Sequence, residues 1–441
     1  MKMPRFCTIL PVLLALAGAP SLDAQAPPTV AAKDRAAIIE DLLAALNRTY
    51  VFPDTAKKME EHVRQQLKRG AYDALSDLEA FTQKLTEDLR SVSKDLHLRV
   101  VVADPPPAEG GAPPSPEEQQ RRFEAAVRRD NACFKKVELL AGNVGYIKLN
   151  CFAPAEVGGS TAVAAMGFLA GADALVFDLR DNGGGSPSMI QLLSSYLLGG
   201  DETTHLNSFY IRDGDRTEQY WTQAWVPGVR RTEVPVFVLT SRFTFSAAEE
   251  FTYNLKNLKR ATIVGETTGG GAHPVNNYRV EGYPVAMSLP FGRAVNPITG
   301  TNWEGTGVAP DVSVPAPEAL REAHGRALAA IAERTTDAEQ KQALSFTRTI
   351  VEARGQIVSL APAALAAFAG SYGPRKITLE NGELWYQRGA GRRLKLTPLS
   401  GDRFLVGELD DFMIRFERQG EQVVRLIGIY ADGREEPSPR T

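Results

Sequence analysis

The chain has 441 residues, of which 43% are hydrophobic and 23% charged. That composition is ordinary for a globular protein, and the length exceeds what one compact core usually fills. The formal net charge of -3 gives no electrostatic ground for nucleic acid or an anionic membrane surface as partner.

At the start, Lys2 and Arg5 precede a short apolar run over 9–19, with small residues around Ala24. This is the pattern of a secretory signal peptide over 1–24. A membrane anchor is the competing reading, but the run is short for a bilayer span. No other stretch reads as transmembrane. The expectation is an exported protein, periplasmic or extracellular, without stable membrane insertion.

Residues 27–95 read as a helical domain. Ile38, Leu42, Leu43 and Leu46 keep a helical period, Met59, Val63 and Leu67 repeat every four residues, and Ser76 with Glu79 suggests a capping box opening a third helix. A core follows over 96–315. It starts with a strand over 98–102, interrupted by a Pro-rich loop at 104–118, and a helix is expected over about 116–129. Apolar strands at 174–179, 236–240 and 261–264 then alternate with helical spacing at 186–198 and 246–258, which implies an α/β core with crossovers. Asp213-Gly214 and Gly282 look like hairpin turns. A helical linker spans 316–361. Residues 362–441 read as a small antiparallel β-barrel-like domain, with Asn381-Gly382 as its clearest turn.

Of the three cysteines, Cys7 leaves with the signal peptide. Cys133 and Cys151 flank an apparent hairpin symmetrically about Gly142. In a compartment that permits disulfides they are expected to pair, the alternative being two free buried thiols.

Ser246 falls where a buried strand ends and a helix begins. A nucleophile there is exposed, with unpaired helix N–H groups beside it; a plain N-cap serine is the structural alternative. Asp178-Leu179-Arg180-Asp181-Asn182-Gly183-Gly184-Gly185 is a glycine turn at a strand's carboxyl end, where open α/β sheets bind ligands. The N–H groups of Gly184 and Ala247 could form an oxyanion hole. The turn lacks the spacing of a phosphate-binding loop. For the general base, His62 and His324 read as solvated and His205 as isolated. His97 and His273 both stay open, since physical reasoning prefers neither. No two histidines have ligand spacing, so no metal is expected. Glu304, in a glycine-flanked loop, could hold an imidazole tautomer.

Together, 178–185, 240–250, 264–271 and 304–312 resemble the serine peptidase family that contains the C-terminal processing peptidases, the tricorn core protease and interphotoreceptor retinoid-binding protein. The resemblance runs from about 35 to 315. It implies a crotonase-like ββα core, Ser246 as nucleophile, and an oxyanion hole near Gly184 and Ala247. Processing peptidases take their base from a lysine after the nucleophile's helix. Here Gly265-Glu266-Thr267-Thr268-Gly269-Gly270-Gly271 has none, and Lys256 lies about 15 Å along the helix from Ser246. The tricorn type uses a histidine and a late glutamate, and His97 and Glu304 match those positions. Two departures stand out. The interval before Cys133 is too short for a PDZ domain, and Leu96 stands where the tricorn tetrad has a serine. The β tail resembles the lipocalin-like domain appended to some hydrolases. The resemblance therefore implies an exported serine peptidase acting on peptides or unfolded protein through Ser246, His97 and Glu304, without cofactor or metal. A non-catalytic binder of apolar ligands on the same fold is the alternative.

Overall fold

A computed structural model describes residues 29–103, 115–199 and 202–441. The expected signal peptide and most of the Pro-rich loop lie outside the described residues.

Three helices open the chain: α1 (Ala32–Thr49), α2 (Pro53–Lys68) and α3 (Leu78–Ser93). They bury Ile38, Leu42 and Leu46, then Met59 and Val63, then Phe81, Leu85 and Leu89, the one-sided spacing that drives amphipathic helices together. The cap of α3 is Asp77, not Ser76. Asp77 Oδ1 accepts the Ala80 N–H at 2.7 Å, so the start signal sits one residue later than the Ser76–Glu79 pair suggested.

The strand β1 (Arg99–Val102) and helix α4 (Pro116–Arg129) lead to the hairpin of β2 (Phe134–Leu140) and β3 (Val144–Leu149). A disulfide joins Cys133 and Cys151 just beyond its open end. Then come α5 (Ala155–Phe168), β4 (Ala174–Asp178), α6 (Pro187–Leu197), the hairpin β5 (His205–Ile211) and β6 (Arg216–Trp221), β7 (Val236–Thr240), α7 (Ala247–Asn257) and β8 (Thr262–Gly265). The strands β9 (Val275–Arg279), β10 (Val285–Pro290), β11 (Gly292–Val295) and β12 (Val312–Ser313) complete the core.

The central sheet has the order β12-β8-β7-β4-β3-β2. It is parallel except for the β3–β2 pair. Its two faces alternate as a doubly covered sheet requires. Leu175, Phe177, Val236 and Val238 pack toward α5, α6 and α7, while Ala174, Val176, Phe237 and Leu239 pack under α8 (Ala319–Arg334). Two three-stranded antiparallel sheets, β1-β10-β9 and β11-β5-β6, flank it. The first is the floor on which α1 to α3 sit: Val285, Met287 and Leu289 share one core with Leu42, Phe81 and Leu85.

A second linker helix, α9 (Ala338–Ala353), packs along α8 and buries Leu344, Ile350 and Val351. It lies within the 316–361 segment expected to be helical. His324, expected to be solvated, is buried on α8 with Nε2 2.8 Å from the Ala141 carbonyl. After α10 (Pro362–Ala366), eight antiparallel strands run in sequence order from β13 (Gly370–Tyr372) to β20 (Glu435–Pro439). A bridge joins Tyr372 of the first strand to Arg440, the residue after the last.

Candidate active site

The carboxyl ends of β4 and β7 each lead into a turn, and hydrogen bonds stitch the two turns together. Asn182 accepts the Phe245 N–H at 3.0 Å through its carbonyl and donates its side-chain amide to Leu149 at 2.8 Å. Thr244 Oγ1 donates to the Leu179 carbonyl at 2.8 Å. Beneath them Asp178 is buried against Arg180 (Nη2 2.6 Å, Nε 2.8 Å) and Tyr146 Oη (2.6 Å). Burial alone would raise its carboxyl; the Arg180 and Tyr146 hydrogen bonds outweigh that and hold it below the usual range.

Ser246 is the residue before the first turn of α7. Its backbone sits at φ 55° and ψ −122°, a region L-residues rarely adopt and one that marks functional turns. Glu249 holds it there. This buried carboxylate accepts the N–H groups of Ser246 (2.8 Å), Gly270 (2.6 Å) and Gly271 (2.8 Å) and the hydroxyl of Thr268 (2.5 Å). Burial pushes its carboxyl up to about 6 against those four donors. The Ser246 turn and the glycine loop after β8 are thus fixed to one side chain.

Gly184 approaches Ser246 so closely that a Cβ on it would lie 2.7 Å from Ser246 Cβ and 3.2 Å from the Ala247 nitrogen. Its φ of +116° also favours glycine. One expectation needs correction. The Gly184 N–H is already engaged, donating to Asn182 Oδ1 at 2.9 Å. The short polar side chain closes an Asx-type turn on it. Among the described residues no hydrogen bond engages the Ala247 N–H. Gly183, Gly185 and Ala247 all line the cavity over Ser246.

That cavity has a volume of about 190 Å³ and is also lined by His97 and His273. The His97 ring packs on Phe245, centroids 4.6 Å apart. Its position follows from α3: Arg90 donates to the carbonyls of Leu96 and of Leu98, the latter at 2.8 Å. Asp95 Oδ1 accepts the His97 N–H at 3.0 Å. Burial lowers His97 to about 4, although Asp95 pulls the other way. Its imidazole is therefore neutral at neutral pH, the form a general base needs.

Asp95 also accepts from His273 Nδ1 at 2.7 Å and from Tyr50 Oη at 3.1 Å. Burial would raise Asp95 and lower His273. Their mutual hydrogen bond and charge outweigh it, so the acid is held below its ordinary value and the imidazole above. This pair was not legible in the sequence.

Glu304 lands elsewhere than expected. Its Oε2 accepts the Ala272 N–H at 2.5 Å and lies 3.6 Å from His273 Nδ1. No hydrogen bond joins it to His97: His97 Nδ1 and Glu304 Oε1 are both buried and unpartnered. Burial raises Glu304 to about 7, so near neutral pH it holds a proton part of the time. The loop geometry explains the difference. Asn302 Oδ1 caps the Glu304 N–H at 2.9 Å and Trp303 Nε1 donates to Gly271 at 2.7 Å, which turns the carboxylate toward the 271–273 backbone. Asp95, His273 and Glu304 bring three ligand-type atoms within 4.8 Å of one another, the one such group among the described residues. Lys256 is turned away, bound to Asp311 at 2.8 Å and to the Ala309 carbonyl at 2.6 Å. His205 stacks on Trp221.

A serine on a strained strand-to-helix turn, a neutral imidazole and helix N–H groups around one cavity fit the class the comparisons show: a serine-type peptidase on an α/β fold. Residues 143–314 match the model of peptidase family S41, and residues 30–137 match the N-terminal domain of that peptidase in eukaryotic IRBP. Together these matches span more than half of the chain, which belongs to peptidase family S41. The chain is 31% identical to the tail-specific protease of Haemophilus influenzae over 104 residues, 22% of its own length and 13% of that protein's. Among solved structures it is similar to the tricorn protease (TM-score 0.46, 14% identity, 69% of this chain, 37% of that one). Others are a lipoprotein of Streptococcus agalactiae (0.45, 15%, 70% and 100%) and the photosystem II D1 C-terminal processing protease (0.39, 18%, 64% and 93%).

Proposed function

We propose that this chain is an exported peptidase that hydrolyses peptide bonds in peptides or unfolded proteins through an acyl-enzyme on Ser246. His97 takes the Ser246 proton as Oγ attacks the carbonyl carbon, and returns it to the leaving amine. The Ala247 N–H and the N–H groups of Gly183 and Gly185, all on the lining of the cavity, are read as facing the oxyanion. Water activated by His97 then releases the acid. The His97 backbone is held by Asp95, while Glu304 and His273 form the polar backing of the loop beside it. The α/β core is read as crotonase-like, and neither a cofactor nor a metal enters this mechanism.

The observation that carries this reading is the strained backbone of Ser246 beside the neutral, buried His97 in a single cavity. Export rests on the apolar run at 9–19 and the Cys133–Cys151 disulfide. No helix of the described residues is long and apolar enough to cross a membrane.

The test is fluorophosphonate labelling of the purified protein beside Ser246→Ala and His97→Ala. Labelling of the wild type that both substitutions abolish, with folding intact by circular dichroism, is the expected result. A folded wild type that neither labels nor cleaves casein overturns the reading.

A further inference from the structure

Glu250 lies one turn along α7 from Ser246, on the same helix face. It is 3% exposed, and it lines the same cavity as Ser246, His97 and Ala247. Among the described residues no arginine, lysine or histidine pairs with it, and it makes no hydrogen bond meeting normal geometry. The side chain of Asn207 on β5 faces it and favours its ionised form, against the larger effect of burial. Asn207 is fully buried, and both its amide nitrogen and its amide oxygen lack partners. Phe209, two residues on and so on the same face of β5, lines the cavity together with Ala272 and Trp303. Next to the nucleophile there is therefore an apolar-walled recess holding a carboxyl group that no cation compensates, backed by a buried carboxamide.

Native proteins seldom leave such groups unmatched, and the exceptions cluster where a ligand completes them. The match for this pair is an extended cation. A lysine or arginine side chain lays its methylene stem along apolar walls and presents N–H donors at its tip. Its charge compensates the carboxylate, with Asn207 behind it. Glu249, the neighbouring acid, cannot serve, because four donors already occupy it.

We propose that Glu250, with Asn207, is the specificity determinant of this site and selects substrates carrying a lysine or arginine beside the scissile bond. This rests on the peptidase reading above. Burial pushes Glu250 up to about 8, and a cation beside it stabilises its ionised form.

The experiment measures kcat/KM for internally quenched peptides that differ only in placing Lys, Arg, Leu or Gln on either side of the scissile bond. Wild type is compared with Glu250→Gln, which keeps the shape and removes the charge. In wild type the basic peptides are expected to exceed the leucine peptide by at least about tenfold, and in Glu250→Gln that ratio collapses toward one. Labelling of Ser246 by fluorophosphonate reports that the variant's site is intact. In parallel, benzamidine is expected to slow labelling of wild type but not of Glu250→Gln, with benzamide slowing neither. A wild type that labels and cleaves without basic preference, or a preference that survives in Glu250→Gln, overturns this inference and leaves the peptidase reading standing. Absence of both labelling and cleavage in folded wild type overturns both.

Discussion

Asp95 Oδ2 and His273 Nδ1 lie 2.7 Å apart, both buried, and join the end of the N-terminal helical segment to the glycine loop after β8. The other oxygen of Asp95 holds the backbone N–H of His97. One carboxylate therefore fixes the backbone of the residue read as the general base and the imidazole of His273. Removing one member of a buried ion pair leaves the other uncompensated, which costs about 3–5 kcal/mol. Asp95→Ala is expected to lower unfolding free energy by that order in urea titrations and to slow fluorophosphonate labelling. Adding His273→Gln to Asp95→Ala should cost far less than His273→Gln costs alone, because the partners share one interaction. Additive losses would mean the pair is not a unit.

The depressed His97 makes two predictions about pH. As a base it must be unprotonated, so the acid limb of kcat/KM, or of the labelling rate, is expected near pH 4 rather than near the ordinary histidine value of about 6.5. For stability, the unfolded chain takes up a proton on this histidine below about 6.5 that the native state refuses until about 4. The unfolded state binds more protons in that window, so stability falls as pH drops through it. His97→Gln should flatten that part of the stability curve. An acid limb near 6.5 with an unchanged stability curve would refute the burial argument.

Ser246 stores backbone strain that is independent of its hydroxyl. At φ 55° an alanine is strained as much as a serine, whereas glycine occupies the region freely. Both Ser246→Ala and Ser246→Gly are expected to abolish labelling. Ser246→Gly should be the more stable of the two by about 1 kcal/mol in urea or thermal denaturation. Equal stabilities would show that the turn relaxes when the serine is lost.

The legible features were those that neighbours in the chain encode. The strand-to-helix step at Ser246, the glycine turn at 183–185 and the symmetric cysteines are all local, and their residue types report backbone geometry directly. The Asp95–His273 pair spans 178 residues, and no periodicity or composition carries it. Asp95 sits in an unremarkable helix-terminal segment, while His273 was visible only as a histidine among glycines. The hold of Glu249 on 268–271 was equally hidden, because an acid at the third position of a helix reads as part of a capping box. That box is half of what it does; the other half needs the glycine loop folded against it. Glu304 shows the converse. Its loop was recognised, but the direction of its side chain depends on Asn302 and Trp303, whose contacts exist only after folding. Gly184 likewise was placed beside Ser246, yet its N–H is spent on Asn182, a detail of turn closure that the glycine run does not reveal.

Gly271 tests how tightly the wall behind the base is packed. A Cβ there would lie 2.6 Å from His97 Cε1 and 2.2 Å from Phe245 Cζ. The backbone at Gly271 cannot retreat freely, because its N–H is bound to Glu249 and its carbonyl to Trp303 Nε1. The rings must therefore move, and the His97 ring moves relative to Ser246. Gly271→Ala is expected to cost about 1–3 kcal/mol of stability, the range for overpacking a tight site. It should reduce labelling by about a hundredfold, the scale on which an ångström of misplacement lowers rates. Catalytic loss should thus exceed what the stability loss explains in a protein that is still folded at 25 °C. A folded Gly271→Ala that labels at the wild-type rate would place the working base away from this wall and shift the assignment from His97 to His273.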